Sequence, residues 1–574
     1  MKILLAPLPY RLVCLLLCCC LFSCKKFLDE QPQTQNTANS FFTDKPSLDA
    51  GIVGIYSSVK DLFGVYTNTP LFMTELGTDE AMFKGTSGVR FNFDRYSFSV
   101  SDGSIYEYWV RHYEIASRAS TIIDAAARVT NISDADRNAI TGEARFVRAF
   151  VYFRLVQAFG AVPIVEHPVS GSFDYGLPRK PIKEVYDFIL NDLAFATQDS
   201  VLTRAKTNNG HANHWAAQTL LGKVYLTMAS AKETATNKST GKVDGYKDIA
   251  MSIQDLYTKA WEVLKDVKDN SGADLLPVYG DVFKIENKNT NKESLFELQF
   301  SPVVPYGTQW TKEFGMASSG GQINGNPLYY TNSMVGQCNL VYVPRFYKYY
   351  KNSPKDTDYD KRRIWNLSDS MVNVANNAIT GLTYIWSSPY SPDNYNQTIL
   401  GRCGMTKYRW GESWRTNSVY LYSNCPNNVI VLRFADVLLM FAEADYKKNG
   451  VISAEGLAAI NRVRQRARGL KANGTPVQEA ETPGFKNYTA ADITIDEILM
   501  ERARELCFEF QRWFDLARTG RFETFLEKTR SPNDNRLANT ATRFDPSRNY
   551  LFPIPQSQID LSTNKENFKQ NENY

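Results

Sequence analysis

Apolar residues fall at helical spacing in two long blocks of the chain, and between them lies a stretch in which no period persists. In residues 142–165, GEARFVRAFVYFRLVQAFGAVPIV, the positions Phe146, Ala149, Phe150, Phe153 and Val156 share one face until Gly160 and Pro163 stop the pattern. That spacing predicts an amphipathic helix with a defined end. Comparable helices are predicted from Tyr106 to Val129, Ile182 to Thr197 and Trp215 to Ala229. Helical period returns at 427–444 and at 454–468, where Leu457, Ile460 and Val463 share a face before Gly469 closes the helix. Thr494 and Glu497 read as a capping box ahead of the strongest helix. Its stripe of Ile495, Leu499, Leu506, Phe510, Trp513 and Ala517 is expected to run unbroken to Gly520.

Between Leu275 and Pro426 the character changes. Gly, Asn, Pro and Ser become frequent, and Trp310, Trp365, Trp386, Trp410 and Trp414 appear. Short strand-like runs, Leu295 to Phe300 and Asn339 to Val343, predict small sheets among loops. Paired amphipathic helices of this length resemble tetratricopeptide hairpins, which bury their faces only by stacking on neighbours. The expected fold is mostly α: a tetratricopeptide-like helical hairpin scaffold with an irregular, loop-rich region carrying short strands. Variable loops on such a scaffold are how binding surfaces are commonly built.

The amino terminus adds a location. Lys2 and Arg11 precede an apolar run from Leu12 to Phe22. At 1.5 Å per residue that run covers only about half of a roughly 30 Å hydrocarbon core, which suits a signal peptide and not a membrane span. Ser23 before Cys24 resembles a bacterial lipobox, so residues 1–23 read as signal peptide, Cys24 as the lipidated residue, and 24–45 as a polar lipidated tether. The chain is 43% hydrophobic and 22% charged, as a folded body requires. Its net charge of +4 includes Lys2 and Arg11, so the mature balance is near neutral and implies no nucleic-acid partner. Beyond the amino terminus only Cys338, Cys403, Cys425 and Cys507 remain, too few for a disulfide framework. A bond between two of Cys338, Cys403 and Cys425 stays open, whereas Cys507 reads as a small buried hydrophobe.

Paired carboxylates invite comparison with a glycosidase, whose two carboxyls stand about 5–9 Å apart across a sugar. Glu505 and Glu509 meet that spacing on one predicted helix, and Asp79 and Glu80 are a second pair. Arg502, Arg504 and Arg512 interleave with the first pair, so ion pairing along the helix is its ordinary explanation, and no catalytic residue is assigned. His112, His167, His211 and His214 are the only histidines. His211 and His214 share a helical face, but two ligands do not make a metal site, and a helix-start role is assigned instead. Arg462, Arg464, Arg466 and Arg468 alternate, which scatters them round a helix and predicts a solvated face. With no Gly-rich phosphate loop and no G-x-S-x-G elbow, the residues imply neither cofactor nor enzyme.

Several segments resemble signature stretches of the SusD/RagB family, in the family's order. Cys24-Lys25-Lys26-Phe27-Leu28-Asp29 is similar to the mature start, followed by MTELGTDE at 73–80, GEARFVRAF at 142–150, AFGAVPIV at 158–165 and HWAAQTLLGKVYL at 214–226. VLRFADVLLMFAEA at 431–444, AINRVRQRAR at 459–468, ERARELCFEFQRWFDLARTG at 501–520 and YLFPIPQSQIDL at 550–561 complete the series. Two positions depart from it: His211 stands where Arg is usual, and the chain ends without Pro-Gly before Tyr574. The resemblance implies an N-terminal SusD-like helical domain over 46–285 and a C-terminal RagB/SusD domain over 286–574. It also implies a surface-exposed outer-membrane lipoprotein that binds glycans and delivers them to a SusC-like TonB-dependent transporter. A RagB-type peptide receptor and a structural or adhesion subunit of the transporter complex are the alternatives.

A sugar offers a C–H face to an aromatic plane and hydroxyls to fixed polar groups, so exposed aromatics beside Asp, Asn and Arg are what binding needs. The resemblance places such residues in two stretches. The first holds Asp79, Phe83, Arg90, Phe93 and Tyr96; the second holds Tyr306, Trp310, Tyr329 and Tyr330, extended by Trp386, Trp410 and Trp414. Tyr306 and Trp310 lie among Pro, Gly and Thr without periodicity and are expected to be exposed. Trp109, Trp215 and Trp513 sit on helical stripes and are expected to be scaffold.

Overall fold

Helix α1 (Lys45–Leu62) starts where the Asp44 carboxylate accepts the Ser47 amide at 3.0 Å while the Ser47 hydroxyl accepts the Asp44 amide. It is the first element of a computed structural model that describes residues 38–63, 70–167 except 86, 176–237, 243–301, 340–351, 359–367, 404–408, 425–530 and 544–574. Short stretches between 303 and 384 are described as well. The helices that follow are α2 (Gly103–Arg128), α3 (Asp134–Phe159), α4 (Ile182–Ala196), α5 (His214–Asn237), α6 (Ile253–Asn270), α7 (Phe434–Asn449) and α8 (Ala454–Arg468). Short polar side chains open most of them: Asp102, Ser133, Ser252 and Ser453 each accept a first-turn amide. Each helix packs on its predecessor, so α1/α2, α3/α4, α5/α6 and α7/α8 stack as four hairpins. The mostly helical, tetratricopeptide-like scaffold expected from the periodicity is what is observed. The loop-rich region is inserted between α6 and α7, which nevertheless pack together. Gly222 permits the close approach of α5 and α6, since a Cβ there would stand 2.7 Å from the Leu264 side chain.

Helix α3 is not the amphipathic helix that its stripe predicts. From Phe146 to Val156 every side chain is buried, Arg148, Tyr152 and Arg154 included, because α2, α4 and α1 cover it from several sides. Arg148 is tolerated there through two 2.8 Å bonds to the Asp192 carboxylate of α4.

Among the described residues the strands form five two-stranded pairs, of which three antiparallel ones matter here. Strand β1 (Ala81–Phe83) pairs with β3 (Leu340–Tyr342), and β2 (Ser294–Leu298) with β6 (Val429–Arg433). Strands β4 (Ser370–Ala375) and β5 (Ala378–Tyr384) form a hairpin. The two predicted strand-like runs thus contain real strands. The predicted helix at 427–444 is half wrong, since Val429-Ile430-Val431-Leu432 is β6 and α7 begins only at Phe434. A run rich in β-branched residues beside an open strand edge takes the ladder.

The helix expected to run unbroken from Thr494 to Gly520 is two helices, α9 (Ile495–Leu506) and α10 (Arg512–Thr519), followed by α11 (Phe522–Thr529). Thr494 caps α9 by accepting the Glu497 amide at 3.2 Å, but the Glu497 carboxylate accepts the Tyr488 hydroxyl at 3.1 Å. Between α9 and α10, Phe508 and Phe510 adopt φ of 63° and 58°. A left-handed conformation costs a non-glycine residue about 1–2 kcal/mol, so tertiary contacts must hold this turn open. They do. The Phe508 amide donates to Glu80 Oε1 at 2.9 Å, Glu509 meets Lys407 and Arg433, and the Phe510 ring packs on Phe63 and Trp310.

The alternating arginines of α8 are also not solvated, apart from Arg462, which pairs with Asp274 near the surface. Arg464 reaches Glu501 at 2.7 Å, Arg466 reaches Glu293 at 3.0 Å and also Glu505, and Arg468 is held by Thr482, the Phe485 carbonyl and Asn487. Segments on both sides of α8 cover it, and each guanidinium is matched as it is covered.

Candidate ligand-binding site

The segment Met73 to Glu80 enters the interior beside the 507–511 turn. Its Asp79 carboxylate accepts Nε and Nη2 of Arg512, both at 2.7 Å, and the Tyr349 hydroxyl at 2.7 Å, with no exposed surface. Asp79, expected among the ligand contacts, is therefore an internal strut whose acceptor oxygens are already filled. Tyr96 is a second correction. It is buried with φ of 59°, donates its hydroxyl to the Gly77 carbonyl and packs on Trp513 and Phe544. Gly77 itself has φ of 79°, and a Cβ on it would stand 2.9 Å from the Phe93 carbonyl. Phe93 is likewise core, whereas Phe83 is half-buried. Arg90 lies at the partly exposed side of the segment, its guanidinium 4.5 Å from the centre of the Phe72 ring.

Trp310 is the sharpest departure. It is 3% exposed, donates Nε1–H to the Phe63 carbonyl at 2.6 Å, and is wedged between Tyr408 and Phe510 with ring centres 4.5 and 5.0 Å away. Lack of periodicity around Trp310 thus does not mark exposure, since the ring is a buried anchor. Trp365, by contrast, is half-buried, with Nε1–H donated to the Lys407 carbonyl at 3.1 Å. Trp109, Trp215 and Trp513 are buried, as their helical stripes predict. Tyr306, Tyr329, Tyr330, Trp386, Trp410 and Trp414 lie outside the described residues.

Several described residues in the parts of the chain around those positions are tied to one region. Phe83 on β1 pairs with Leu340, Thr308 exchanges backbone bonds of 2.7 and 2.8 Å with Cys425, and Leu367 bridges Met405. The 507–511 turn touches them through Glu80, Trp310 and Tyr408. Cys425 is buried with Sγ 2.5 Å from Asn427 Oδ1, while Cys338 and Cys403 lie outside the described residues. Cys507 is buried as expected, and burial pushes its thiol up to about 12.

The carboxylates weighed as a catalytic pair do not share a helix. Glu505 ends α9, where it meets Arg433 Nη1 at 2.7 Å, Arg362 Nη1 at 3.1 Å and Arg466. Glu509, in the turn, meets Lys407 Nζ at 2.5 Å and Arg433 Nε at 2.9 Å. Both pair with other elements, not along their own helix as expected. Burial alone would raise Glu505, but Arg466, Arg433 and Arg362 outweigh it and hold it at about 2, as a fixed ion with no proton to give. Among the described residues no group of three or more His, Cys, Asp or Glu could hold a metal. His214 opens α5 behind an Asn213 cap, and His211 bonds Glu143 at 2.8 Å.

Glu75 and Glu80 form a pair that spacing did not reveal. Both are fully buried, and burial raises both above the ordinary carboxylate range, Glu80 further because Glu75 faces it. Lys407 pulls Glu75 down, Arg512 pulls Glu80 down, and Asp79 pushes both up. Two carboxyls buried beside each other favour the protonated form of at least one of them. A raised folded-state pKa contributes stability below the ordinary value of 4.5 and loses it as pH rises through the folded value. Glu75→Gln, which supplies a permanent donor, should therefore gain on the wild type by roughly 1–3 kcal/mol between pH 5 and pH 8 in urea titrations. Parallel stability curves for the two proteins would mean that the Glu75 carboxyl is not raised in the folded state.

A profile described as the SusD family matches residues 292–574, and one described as starch-binding associating with outer membrane matches residues 26–226. Curated relatives include a SusD-like protein of Bacteroides ovatus, 25% identical over 85% of this chain and 78% of its own length. SusD-like protein P2 of Formosa agariphila is 27% identical over 97% of this chain and 98% of its own. Among solved structures, a SusD homolog from Bacteroides thetaiotaomicron superposes with a TM-score of 0.70 at 21% identity, covering 94% of this chain and 98% of that one. A laminarin binding SusD-like protein gives 0.66 at 20% identity, with 92% and 99% coverage. The surface glycan-binding protein A from Bacteroides fluxus gives 0.66 at 20%, with 93% and 100%.

Proposed function

The chain belongs to the SusD family, and on that premise we propose that it is a non-enzymatic, surface-exposed outer-membrane lipoprotein. It binds glycans and hands them to a SusC-like TonB-dependent transporter. The observation that carries this reading is the reach of the likeness, which runs through both halves of the chain and includes one structure described as laminarin binding and another as a surface glycan-binding protein. Location rests on Cys24, whose acyl chains and polar tether would hold the body at the membrane. No described helix is long and apolar enough to cross a membrane.

Asp79, Tyr96 and Trp310 are buried in the fold, so the proposed ligand contacts are Arg90, at the partly exposed side of its segment, and four aromatics outside the described residues, Tyr306, Tyr329, Tyr330 and Trp386. Replacing those four aromatics together by Ala in the chain beginning at Lys25 should weaken glycan binding at least tenfold, with the melting temperature unchanged, because stacking carries sugar affinity. A glycan and peptide array on the same protein measures it. Binding to peptides alone would favour a RagB-type receptor, and cleavage of any arrayed bond would overturn the non-enzymatic reading.

A further inference from the structure

Most of the deeply buried arginines meet a carboxylate. Arg148, Arg433, Arg502, Arg512 and Arg518 each find one at 2.7–2.8 Å. Arg154 on α3 does not. It is 7% exposed, and among the described residues its Nε and Nη2, both enclosed, meet no acceptor. The rings of Phe63, Tyr108, Phe150 and Phe514 stand 5.4–5.9 Å from its guanidinium carbon. That is the outer limit of a cation–π contact, and ring faces leave the in-plane N–H groups unanswered. Among the described residues, the Tyr108 hydroxyl, which faces Arg154, and His112 Nε2 also lack a well-formed hydrogen bond. Both are neutral: burial raises the Tyr108 phenol, while burial and then Arg154 hold the His112 imidazole well below its ordinary value.

Arg154 lines a cavity of about 50 Å³ between α3, α5, β6 and the 507–511 turn, and Lys223, Gln511 and Thr227 line it as well. The cavity's two carboxylates are already matched. Asp515 is held by Arg502 and Arg518, and Glu509 by Arg433 and Lys407. Lys223 is answered by Asp436 at 2.9 Å. The charge left over is that of Arg154. One water occupies roughly 30 Å³, so the space suits one or two waters or one small ion, and water would satisfy N–H groups without compensating the charge.

We propose that this cavity is a binding site for a small monovalent anion, a halide or a carboxylate group, held as the counter-ion of Arg154. The site is separate from the proposed glycan surface and stands whether or not that reading does. Crystals of the chain beginning at Lys25, grown in bromide, should show an anomalous peak within hydrogen-bond reach of the Arg154 guanidinium. Crystals grown in acetate test the carboxylate arm. In parallel, melting temperature should rise saturably by about 2 °C or more when bromide or acetate replaces methanesulfonate at constant ionic strength. The rise should vanish in Arg154→Met and persist in Arg111→Met, which alters a partly exposed arginine paired with Glu107. Bromide alone or acetate alone at the site assigns the source, and either supports the proposal. Water at Arg154 in both crystals overturns it, as does an anion there with no saturable change in melting, which would mark an adventitious ion only. If Arg154→Met does not fold, the two wild-type maps still decide.

Discussion

Glu505→Leu is expected to destabilise the protein by roughly 3–5 kcal/mol, the range for removing one partner from a buried ion network. Glu505 is the shared carboxylate of Arg433, Arg466 and Arg362, which arrive from the end of β6, from α8 and from a short helix at Arg362–Asn366. Removing it leaves Arg466 with Glu293, Arg362 with Asp360 and Glu501, and Arg433 with Glu293 and Glu509, all more than 95% buried. Three guanidiniums would then share too few acceptors in a place that water cannot reach. Glu505→Gln keeps the shape and should lose less. The pH dependence follows from the sign of the shift. Glu505 is held at about 2 against an ordinary 4.5, so its contribution is present above 4.5 and is lost as pH falls toward 2. The gap between wild type and Glu505→Gln should narrow over that interval in urea titrations. A constant gap would mean that the side chain acts by packing alone. Glu481→Gln, which loosens an exposed pair with Lys471, serves as the control and should leave the midpoint in place.

Trp310→Ala is expected to lower stability by about 3–5 kcal/mol, as for other large aromatic truncations in a core. The space left between Tyr408 and Phe510 cannot collapse easily, because Phe510 is fixed in a left-handed conformation and Tyr408 lies against Phe283. The Phe63 carbonyl also loses its indole donor. Trp310→Phe isolates that second loss and should cost about 1–2 kcal/mol. Chemical unfolding read by circular dichroism separates the two variants. If Trp310→Ala abolished glycan binding at an unchanged unfolding midpoint, the indole would be a ligand platform and not an anchor of the fold.

Both predictions depend on residues whose roles local spacing misjudged. Alternation of Arg462, Arg464, Arg466 and Arg468 is the same pattern whether α8 faces solvent or is covered. Only the positions of Glu293, Glu501 and Glu505, distant in the chain, decide which. The apolar stripe from Ile495 to Ala517 is consistent with one helix, and local propensity favours it. The break at 507–511 arises because Glu80, Lys407 and Arg433 offer bonds that an unbroken helix could not accept. Arg512 and Tyr349, the partners of Asp79, carried no signal at all, since they stand 433 and 270 residues away in the chain.

What the amino-acid sequence determined by itself was the hairpin scaffold, the starts of α4, α5, α8 and α9, the scaffold role of Trp109, Trp215 and Trp513, and the family. These follow from interactions between near neighbours, which are written into residue spacing: caps act over three positions and apolar stripes over three or four. What only the tertiary structure decided was which polar and aromatic residues are used up inside. Asp79, Tyr96 and Trp310 have the chemistry of ligand contacts, and Arg154 has that of a surface cation. Burial is set by whichever distant segment comes to lie on top, so a side chain that reads as a contact becomes a strut, and an arginine that reads as solvated becomes a buried charge in need of a partner.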